Sequence, residues 1–136
     1  MFVFLDTSAL IYITEGREPF AASVRAALQT LAERHPRSGI AVSRLTWLEC
    51  RVGPMKRNDA AALSLYDAFF ARPDLSWIEL TREVVELAAA VRVRHGLRTP
   101  DALQAACCLQ LGADHRLLTG DASFQRVAGL NVVVLK

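Results

Sequence analysis

The chain opens with a short apolar run that ends abruptly in polar residues. Residues 2–5, FVFL, are followed by Asp-Thr-Ser. A continuous apolar run of this length is typical of a strand buried on both faces, and Asp-Thr-Ser is a typical helix start. The same transition recurs at IAVS, residues 40–43, and at RLLTGD, residues 116–121. These runs predict interior strands that lead directly into helices or turns.

Helical patterns of apolar positions fill most of the chain between these strands. The predicted helices are one that begins just after Asp6, one at 20–35, one that carries residues 45–52, one at about 58–71, one at 82–95, one that begins at Thr99-Pro100, and a short turn at 123–127. Gly53-Pro54 is predicted to end the third helix, and Gly96 to end the fifth. Two further strands are predicted at 75–80 and 131–135.

The alternation of strands and helices specifies a fold class. Parallel strands joined by helical crossovers form a sheet covered by helices on both faces. We predict an α/β fold: a three-layer α/β/α sandwich, Rossmann-like, with a mostly parallel central sheet of about five strands. The length of 136 residues suits a single domain spanning residues 1–136, because a chain of this size buries enough surface to form its own core.

The composition is that of a globular protein and bears on its cellular location and on its cysteine chemistry. The chain is 52% hydrophobic and 22% charged, unlike a disordered segment. The apolar N-terminal run is too short for a signal peptide or a membrane span, so we expect a cytoplasmic protein with no membrane association. The cysteines form no Cys-x-x-Cys pair, so neither disulfides nor a zinc site is predicted. We expect His35, His95 and His115 at the surface or at caps.

Four acidic residues lie either at the carboxyl end of a predicted strand or in the first turns of a predicted helix: Asp6, Glu49, Asp101 and Asp121. The carboxyl ends of parallel strands meet at one edge of a sheet, and the functional crevice of an open α/β fold lies there. The four side chains can therefore converge if their strands are neighbours. Like charges brought together repel one another unless cations bind between them. Oxygen ligands without His or Cys favour Mg²⁺ or Mn²⁺ over zinc.

Each acid also has an ordinary structural explanation. Asp101 falls in the first turn of a helix for which Thr99 is the predicted cap, and the helix dipole favours a carboxylate there. Leu45, Leu48 and Val52 lie on one helical stripe. Glu49 shares this stripe, which predicts that it faces the core side of its helix and needs a partner. The case for chemistry therefore rests on the set of four acids.

The net charge of +2 conceals an uneven distribution. The basic residues are nearly all arginine, and withdrawing four acids into one site would leave a strongly basic surface. Such a surface suits a polyanion that approaches an acidic, metal-filled pocket. The candidate phosphate contacts near the predicted groove are Arg44, Arg51, Arg98 and Arg116.

Four segments carry a resemblance to a known family. LDTSAL at the N-terminus, LTWLEC, TPDALQAA and LLTGDASF resemble, in this order, the four acidic motifs of the PIN-domain ribonucleases. The chain length and the near-complete coverage are similar to those of the small bacterial toxins of the VapC type. Residues 14–39 and 54–73 match no motif of the family.

This resemblance implies a PIN-like fold and an endoribonuclease, the toxin of a toxin–antitoxin pair, that cleaves RNA phosphodiester bonds by metal-activated water. The implied ligands of one or two Mg²⁺ or Mn²⁺ ions are Asp6, Glu49, Asp101 and Asp121. Thr7 and Thr119 are implied to support the site by hydrogen bonds. The family also implies a homodimer and a cognate antitoxin protein whose tail fills the active-site groove. RNA rather than DNA follows from the resemblance alone, because a metal-activated water attacks either.

Two other interpretations stay open. One is another Mg²⁺-dependent phosphohydrolase with a nucleophilic aspartate after the first strand, although the second acid of such enzymes, two positions later, would be Ser8 here. The other is a non-catalytic binding module of the same fold whose carboxylates serve only as helix caps. Metal titration and an RNA-cleavage assay distinguish the three readings.

Overall fold

The computed structural model describes residues 1–136, and its strands and helices follow the predicted order. The strands are β1 (Phe2–Leu5), β2 (Gly39–Ser43), β3 (Leu75–Ile78), β4 (His115–Thr119) and β5 (Val132–Val134). The helices are α1 (Thr7–Glu15), α2 (Phe20–Arg34), α3 (Arg44–Lys56), α4 (Ala60–Phe70), α5 (Arg82–His95) and α6 (Thr99–Leu109), with a 3₁₀ helix at Ala122–Arg126.

All five strands form one parallel sheet in the order β3-β2-β1-β4-β5. The predicted α/β sandwich with a five-stranded sheet is confirmed, and the sheet is wholly rather than mostly parallel. The chain winds outward from β1 to β3 and then crosses to the other side of β1 to form β4 and β5. The winding direction therefore reverses between β1 and β4, which is where a crevice opens at the carboxyl edge of such a sheet.

The sheet separates two hydrophobic cores. Side chains alternate across β1, so that Phe4 points to one face whereas Val3 and Leu5 point to the other. Helices α5 and α6 and the 3₁₀ helix cover the Phe4 face and form the α5–α6 layer; helices α1 to α4 cover the opposite face and form the α1–α4 layer. No helix is both long enough and apolar enough to cross a membrane.

Helix α3 is longer than predicted. It continues through Gly53-Pro54 and ends at Lys56. A proline normally clashes with the Cβ of the residue before it when that residue is helical, and Gly53 has no Cβ. Proline has no backbone N–H, so one hydrogen bond of the helix is lost. Because Pro54 lies in the last turn of α3, this loss disturbs only the end of the helix. The predicted break at Gly53-Pro54 is therefore wrong.

The buried face of α3 also differs from the prediction. Leu48 and Val52 are 52% and 41% exposed, whereas Thr46 and Cys50 are buried. Leu45 of the predicted stripe is partly buried, whereas Trp47 and Met55 are exposed like Leu48 and Val52. The predicted core-facing stripe is therefore wrong, and Glu49 is partly buried at the margin between the two faces.

The start of α6 is shifted by one residue. Arg98 occupies the N-cap position without a side-chain hydrogen bond, and Thr99 is the first helical residue. The Thr99 hydroxyl instead accepts a hydrogen bond from Arg92 Nη1 at 3.0 Å, so the predicted Thr99 cap is wrong. Asp101 still lies in the first turn of α6.

His115 is a core residue and not the surface or cap residue that was predicted. Its side chain is fully buried at the start of β4. The backbone N–H of Asn131 donates to His115 Nε2 at 3.1 Å, so Nδ1 carries the proton and donates to the carbonyl of Gly112 at 2.7 Å. The ring therefore joins the loops that precede β4 and β5.

Gly120 lies between β4 and Asp121 and packs directly against Tyr12 of α1. A Cβ at this position would come within 2.9 Å of Tyr12 Cε2, and the Tyr12 ring is stacked on Phe20 with 4.6 Å between ring centroids. We expect Gly120→Ala to lower the free energy of unfolding by about 1–3 kcal/mol through overpacking, as measured by urea denaturation. The double variant Gly120→Ala/Tyr12→Leu should be less destabilised than the sum of its single variants.

Gly53→Ala tests the explanation given for the continuation of α3. A Cβ at Gly53 would meet the ring of Pro54 while residue 53 is helical, so we expect this substitution to lower the free energy of unfolding in urea denaturation although alanine is the better helix former. The double variant Gly53→Ala/Pro54→Ala removes that clash and should be more stable than the single variant. A Gly53→Ala variant as stable as the wild type would contradict the explanation.

Candidate active site

A polar pocket opens at the carboxyl edge of the sheet beside β1 and β4. We call it the acidic pocket. It has a volume of about 280 Å³, and its lining residues are Asp6, Thr7, Ser8, Ile11, Glu49, Asp101, Gln104 and Asp121. The structure thus brings together all four acids that the sequence singled out. None of the four carboxylates forms a salt bridge, so the pocket carries an uncompensated negative charge.

Asp6 is held in place by three donors. Its Oδ1 accepts hydrogen bonds from Ser8 Oγ at 2.7 Å and from the backbone N–H of Ala9 at 2.9 Å, which caps α1. Its Oδ2 accepts from Thr119 Oγ1. Ser8 Oγ also accepts from the N–H of Gly120 at 3.0 Å. These contacts tie the loop after β1 to the loop after β4.

Glu49 is oriented by a directed chain of hydrogen bonds. Ser43 Oγ donates to Gln104 Oε1 at 2.9 Å. Gln104 Nε2 donates to Thr46 Oγ1 at 2.8 Å and to Thr7 Oγ1 at 3.1 Å. Thr7 Oγ1 then donates to Glu49 Oε1 at 2.6 Å. Because Ser43, Thr46 and Gln104 are buried, this chain fixes Glu49 from the interior of the protein.

Asp101 interacts electrostatically with the other three acids of the acidic pocket. Burial raises the pKa of its carboxyl, and the negative charges of Asp121 and Glu49 raise it further, whereas the nearby Arg98 lowers it. Burial likewise raises the pKa of Asp6 against the hydrogen bonds that lower it, and the charge of Asp101 adds to the rise. These raised pKa values reflect carboxylates for which burial outweighs the hydrogen bonds of Asp6 and the single nearby cation of Asp101.

Asp121 has a capping role as well as a place in the pocket. Its Oδ1 accepts a hydrogen bond from the N–H of Ser123 at 2.8 Å, which caps the 3₁₀ helix. Its own N–H donates to Thr119 Oγ1 at 3.0 Å. Thr119 therefore contacts Asp6 and Asp121 at once, and Thr7 contacts Glu49, so both threonines predicted to support the site lie against its acids.

The donor set of the acidic pocket fits a hard divalent cation. Its polar side chains supply carboxylate, hydroxyl and amide oxygens and include no His or Cys, which suits Mg²⁺ or Mn²⁺. No three His, Cys, Asp or Glu side chains are grouped tightly enough to enclose one ion directly. Mg²⁺ keeps several waters and is bound through one or two carboxylates, so the spacing suits a hydrated ion held partly through water.

Two of the four predicted phosphate-binding arginines are engaged elsewhere. Arg44 donates from Nε and Nη2 to Glu79 at 2.9 and 2.7 Å, and its guanidinium lies 3.9 Å from the ring centroid of Trp77. Arg51 forms a salt bridge with Asp67 of α4. Neither side chain lines the acidic pocket. The prediction that placed them in the groove is wrong, because a nearby carboxylate satisfies each guanidinium.

The other two predicted arginines lie at opposite edges of the sheet. Arg116 pairs in register with Val3 near the amino end of β4, and its Nη1 donates to the carbonyl of His115 at 2.8 Å. The prediction that placed Arg116 beside the groove is therefore wrong. Arg98 shares a cleft with Asp101 and Asp121 and thus adjoins the acidic pocket.

Three polar residues of the site were missed in the sequence: Ser8, Thr46 and Gln104. Gln104 follows Asp101 by three residues, a spacing that places both side chains on one face of a helix. It is also the only amide in the apolar run ALQAACC, and a buried amide needs hydrogen-bond partners. That signal could have identified Gln104, whereas Ser8 and Thr46 look like ordinary residues of a helix start.

Comparison with known families agrees with the fold and the position of the pocket. A family model described as the PIN domain matches residues 3–130. The chain belongs to the PIN domain family. All four acids of the pocket lie within the matched residues of this PIN domain. No curated protein sequence matches the chain.

Solved structures similar to this PIN domain come from toxin–antitoxin complexes. A chain of VapBC2 from Rickettsia felis, bound to a promoter DNA fragment, is 20% identical with a TM-score of 0.79, and the match covers 100% of both chains. A chain of a toxin–antitoxin complex from Klebsiella pneumoniae is 26% identical with a TM-score of 0.69, covering 97% of this chain and 96% of that one. A chain of VapBC-1 from nontypeable Haemophilus influenzae is 18% identical with a TM-score of 0.74 and 98% coverage of both.

The hydrogen-bond chain through Gln104 predicts a specific loss of stability. Gln104→Leu removes the amide and leaves the hydroxyls of Ser43, Thr46 and Thr7 short of a partner. Leaving a buried polar group unpaired costs about 1–3 kcal/mol, and we expect a decrease of at least this size in the free energy of unfolding, measured by urea denaturation.

Gln110→Leu is the matched control on the same helix. Gln110 is exposed at the end of α6 and donates only to the carbonyl of Ala106, so its replacement should change stability by less than about 0.5 kcal/mol. A Gln104→Leu variant as stable as the control would show that the hydroxyls pair among themselves without the amide.

Proposed function

We propose that this PIN domain is a Mg²⁺- or Mn²⁺-dependent endoribonuclease, the toxin of a toxin–antitoxin pair, that hydrolyses RNA phosphodiester bonds in the cytoplasm. The observation that carries the proposal is the convergence of four acids on one pocket in which none of them is paired with a basic side chain. Metal-dependent phosphodiester hydrolysis requires such a set of oxygen ligands beside an open crevice.

The acids have distinct tasks in this proposal. Asp6 and Asp101 are the primary cation ligands, and Asp121 completes the site or holds a second ion. When bound, the cation supplies Lewis acidity, lowering the pKa of a water and offsetting the charge of the phosphate. Glu49 is fixed at Oε1 by the Thr7 hydroxyl, which leaves its Oε2 to accept a proton or a hydrogen bond from a water in the pocket.

The neighbouring structures support the toxin role and an antitoxin partner. They belong to toxin–antitoxin complexes, and their matched chains have the same length range as this one. The chain also exposes apolar side chains at helical spacing on α3: Leu48, Val52 and Met55 are 52%, 41% and 58% exposed. Contiguous exposed apolar residues indicate cover by another protein chain. We propose that a cognate antitoxin and a second copy of this chain are those partners, with the antitoxin tail in the groove.

One alternative is disfavoured by the surroundings of Asp6. A phosphohydrolase with a nucleophilic aspartate after the first strand needs a carboxylate oxygen free to attack. Both oxygens of Asp6 accept hydrogen bonds from protein donors, and the residue is only 5% exposed. The position two residues later, which carries the second acid of such enzymes, is Ser8 and donates to Asp6, so a nucleophilic Asp6 would lack its acid–base partner.

The nuclease activity predicts that single charge removals abolish cleavage. Asp6→Asn and Asp101→Asn keep the shape of the side chain but remove the charge, so with Mn²⁺ each should reduce cleavage of a fluorescent RNA by more than the roughly 100-fold that loss of an outer-sphere partner costs. Asp114→Asn is the matched control, because Asp114 is exposed at the opposite edge and pairs only with the N-terminus. It should cleave like the wild type; cleavage by the Asp6 and Asp101 variants at the wild-type rate would refute the site.

Cation binding can be measured without activity and separates the nuclease from the non-catalytic module. Saturating Mn²⁺ at about 100 times Kd should add about 2.7 kcal/mol to the stability of the wild type, read as a rise in Tm. The Asp101→Asn variant should lose most of this rise. An unchanged Tm for the wild type would favour carboxylates that serve only as helix caps.

The toxin role predicts a growth phenotype. Induced expression of the wild type in a bacterial host should arrest growth, because RNA cleavage stops protein synthesis. The Asp101→Asn variant should permit growth at equal expression, whereas Asp114→Asn should arrest it. Equal arrest by the wild type and the Asp101 variant would mean that the toxicity does not come from the acidic pocket.

A further inference from the structure

A second cleft adjoins the acidic pocket and carries positive charge on one side. It has a volume of about 260 Å³ and shares Asp101 and Asp121 with the acidic pocket, while its other wall carries Arg98 and Arg126. Arg98 precedes α6, and Arg126 ends the 3₁₀ helix that follows β4. We call it the Arg98–Arg126 cleft.

Both arginines of this cleft are free of salt bridges. Elsewhere in the protein Arg44, Arg51 and Arg72 are each paired with a nearby carboxylate. Arg98 and Arg126 are exposed and form no salt bridge, although two carboxylates line the same cleft. Their guanidinium groups therefore keep their charge and their donors available to a ligand.

The position of Arg98 is unfavourable for the start of helix α6. It occupies the N-cap of α6 without donating or accepting a capping hydrogen bond. A cation near a helix N-terminus opposes the helix dipole, and Ser, Thr, Asp or Asn would cap the helix better. The charge of Arg98 lowers the pKa of Asp101, and its exposed guanidinium remains available to an anion at the mouth of the pocket.

A nucleic-acid strand carries one phosphate per nucleotide, so a strand with one phosphate at the acidic pocket must place the next one beside it. The other lining residues of the acidic pocket, among them Thr7, Ser8, Ile11 and Gln104, supply no positive charge. Within the two adjoining pockets, only the Arg98–Arg126 wall attracts a second phosphate.

We propose that the Arg98–Arg126 cleft is the binding subsite for the RNA backbone phosphate next to the scissile one, and that it sets the side from which the strand leaves the acidic pocket. This inference rests on the proposed function and deepens it. Arg126 thereby becomes a substrate-binding residue that no sequence motif indicated. Bidentate donation by a guanidinium to two phosphate oxygens is the contact that each arginine supplies.

The test uses binding in place of turnover. The Asp6→Asn variant serves as the parent, because Asp6 does not line the Arg98–Arg126 cleft and its loss blocks cleavage under the proposed function. A short fluorescein-labelled single-stranded RNA of mixed sequence is titrated in Mg²⁺ at several salt concentrations, and binding is followed by fluorescence anisotropy. Arg98→Gln and Arg126→Gln are added to the parent singly and together.

Each arginine that contacts a phosphate should reduce the slope of log K against log salt by about 0.7 for a single strand. We expect this reduction, with several-fold weaker binding, for each of the two variants and a larger one for the pair. Arg37→Gln is the matched control, since Arg37 is exposed, forms no salt bridge and lies in a separate pocket at the opposite edge. It should leave the slope unchanged.

The outcomes are decisive and separate the two proposals. Unchanged slopes for Arg98→Gln and Arg126→Gln, an equal decrease for Arg37→Gln, or no RNA binding by the parent would each overturn the subsite. Wild-type cleavage that Asp6→Asn abolishes would at the same time leave the proposed function standing. Wild-type protein that cleaves no RNA would refute the nuclease, while the slopes would still report whether the cleft binds phosphate.

A Mn²⁺ titration of the two arginine variants excludes a purely electrostatic role. If Arg98 and Arg126 serve only to neutralise Asp101 and Asp121, their removal should alter Mn²⁺ stabilisation and leave the RNA slope intact. The subsite requires the reverse: retained Mn²⁺ stabilisation, a wild-type Tm without metal, and a reduced slope.

Discussion

Repulsion among four carboxylates is the constraint around which the carboxyl edge of this protein is built. Burial is the largest cause of the raised pKa values of Asp6 and Asp101. The charges of Asp121 and Glu49 raise that of Asp101 further, and the charge of Asp101 raises that of Asp6. No salt bridge relieves any of them. The fold therefore concentrates negative charge at one place without an ion pair to neutralise it. This arrangement destabilises the folded protein, and its retention indicates a function for the acids.

Hydrogen bonds, rather than ion pairs, hold these charges in place. Asp6 and Asp121 cap the elements that follow their strands, and Thr119 contacts both. Glu49 is fixed through Thr7 by a chain that begins in the sheet at Ser43. Donors of this kind fix the direction of a carboxylate while leaving its charge intact, so the pocket remains attractive to a cation.

The positions of Asp6 and Asp121 were predictable, because an acid that closely follows an apolar strand must lie at the carboxyl edge of the sheet. The partners of Arg44 and Arg51 were not, because Glu79 and Asp67 meet them only through tertiary packing. The prediction of the buried face of α3 failed for a different reason. A hydrophobic stripe such as Leu48 and Val52 suggests burial but does not specify what covers it, and the rest of this chain leaves both side chains exposed.

Gln104 belongs to the α5–α6 layer, yet its hydrogen-bond partners Ser43, Thr46 and Thr7 lie on β2, α3 and α1. The acids divide in the same way: Asp6 and Glu49 adjoin α1 and α3, and Asp101 and Asp121 adjoin α6 and the 3₁₀ helix. The acidic pocket thus lies where the α1–α4 layer and the α5–α6 layer meet at the carboxyl edge of the sheet. A protein that shifts one layer against the other alters the spacing of the charges without touching a single carboxylate.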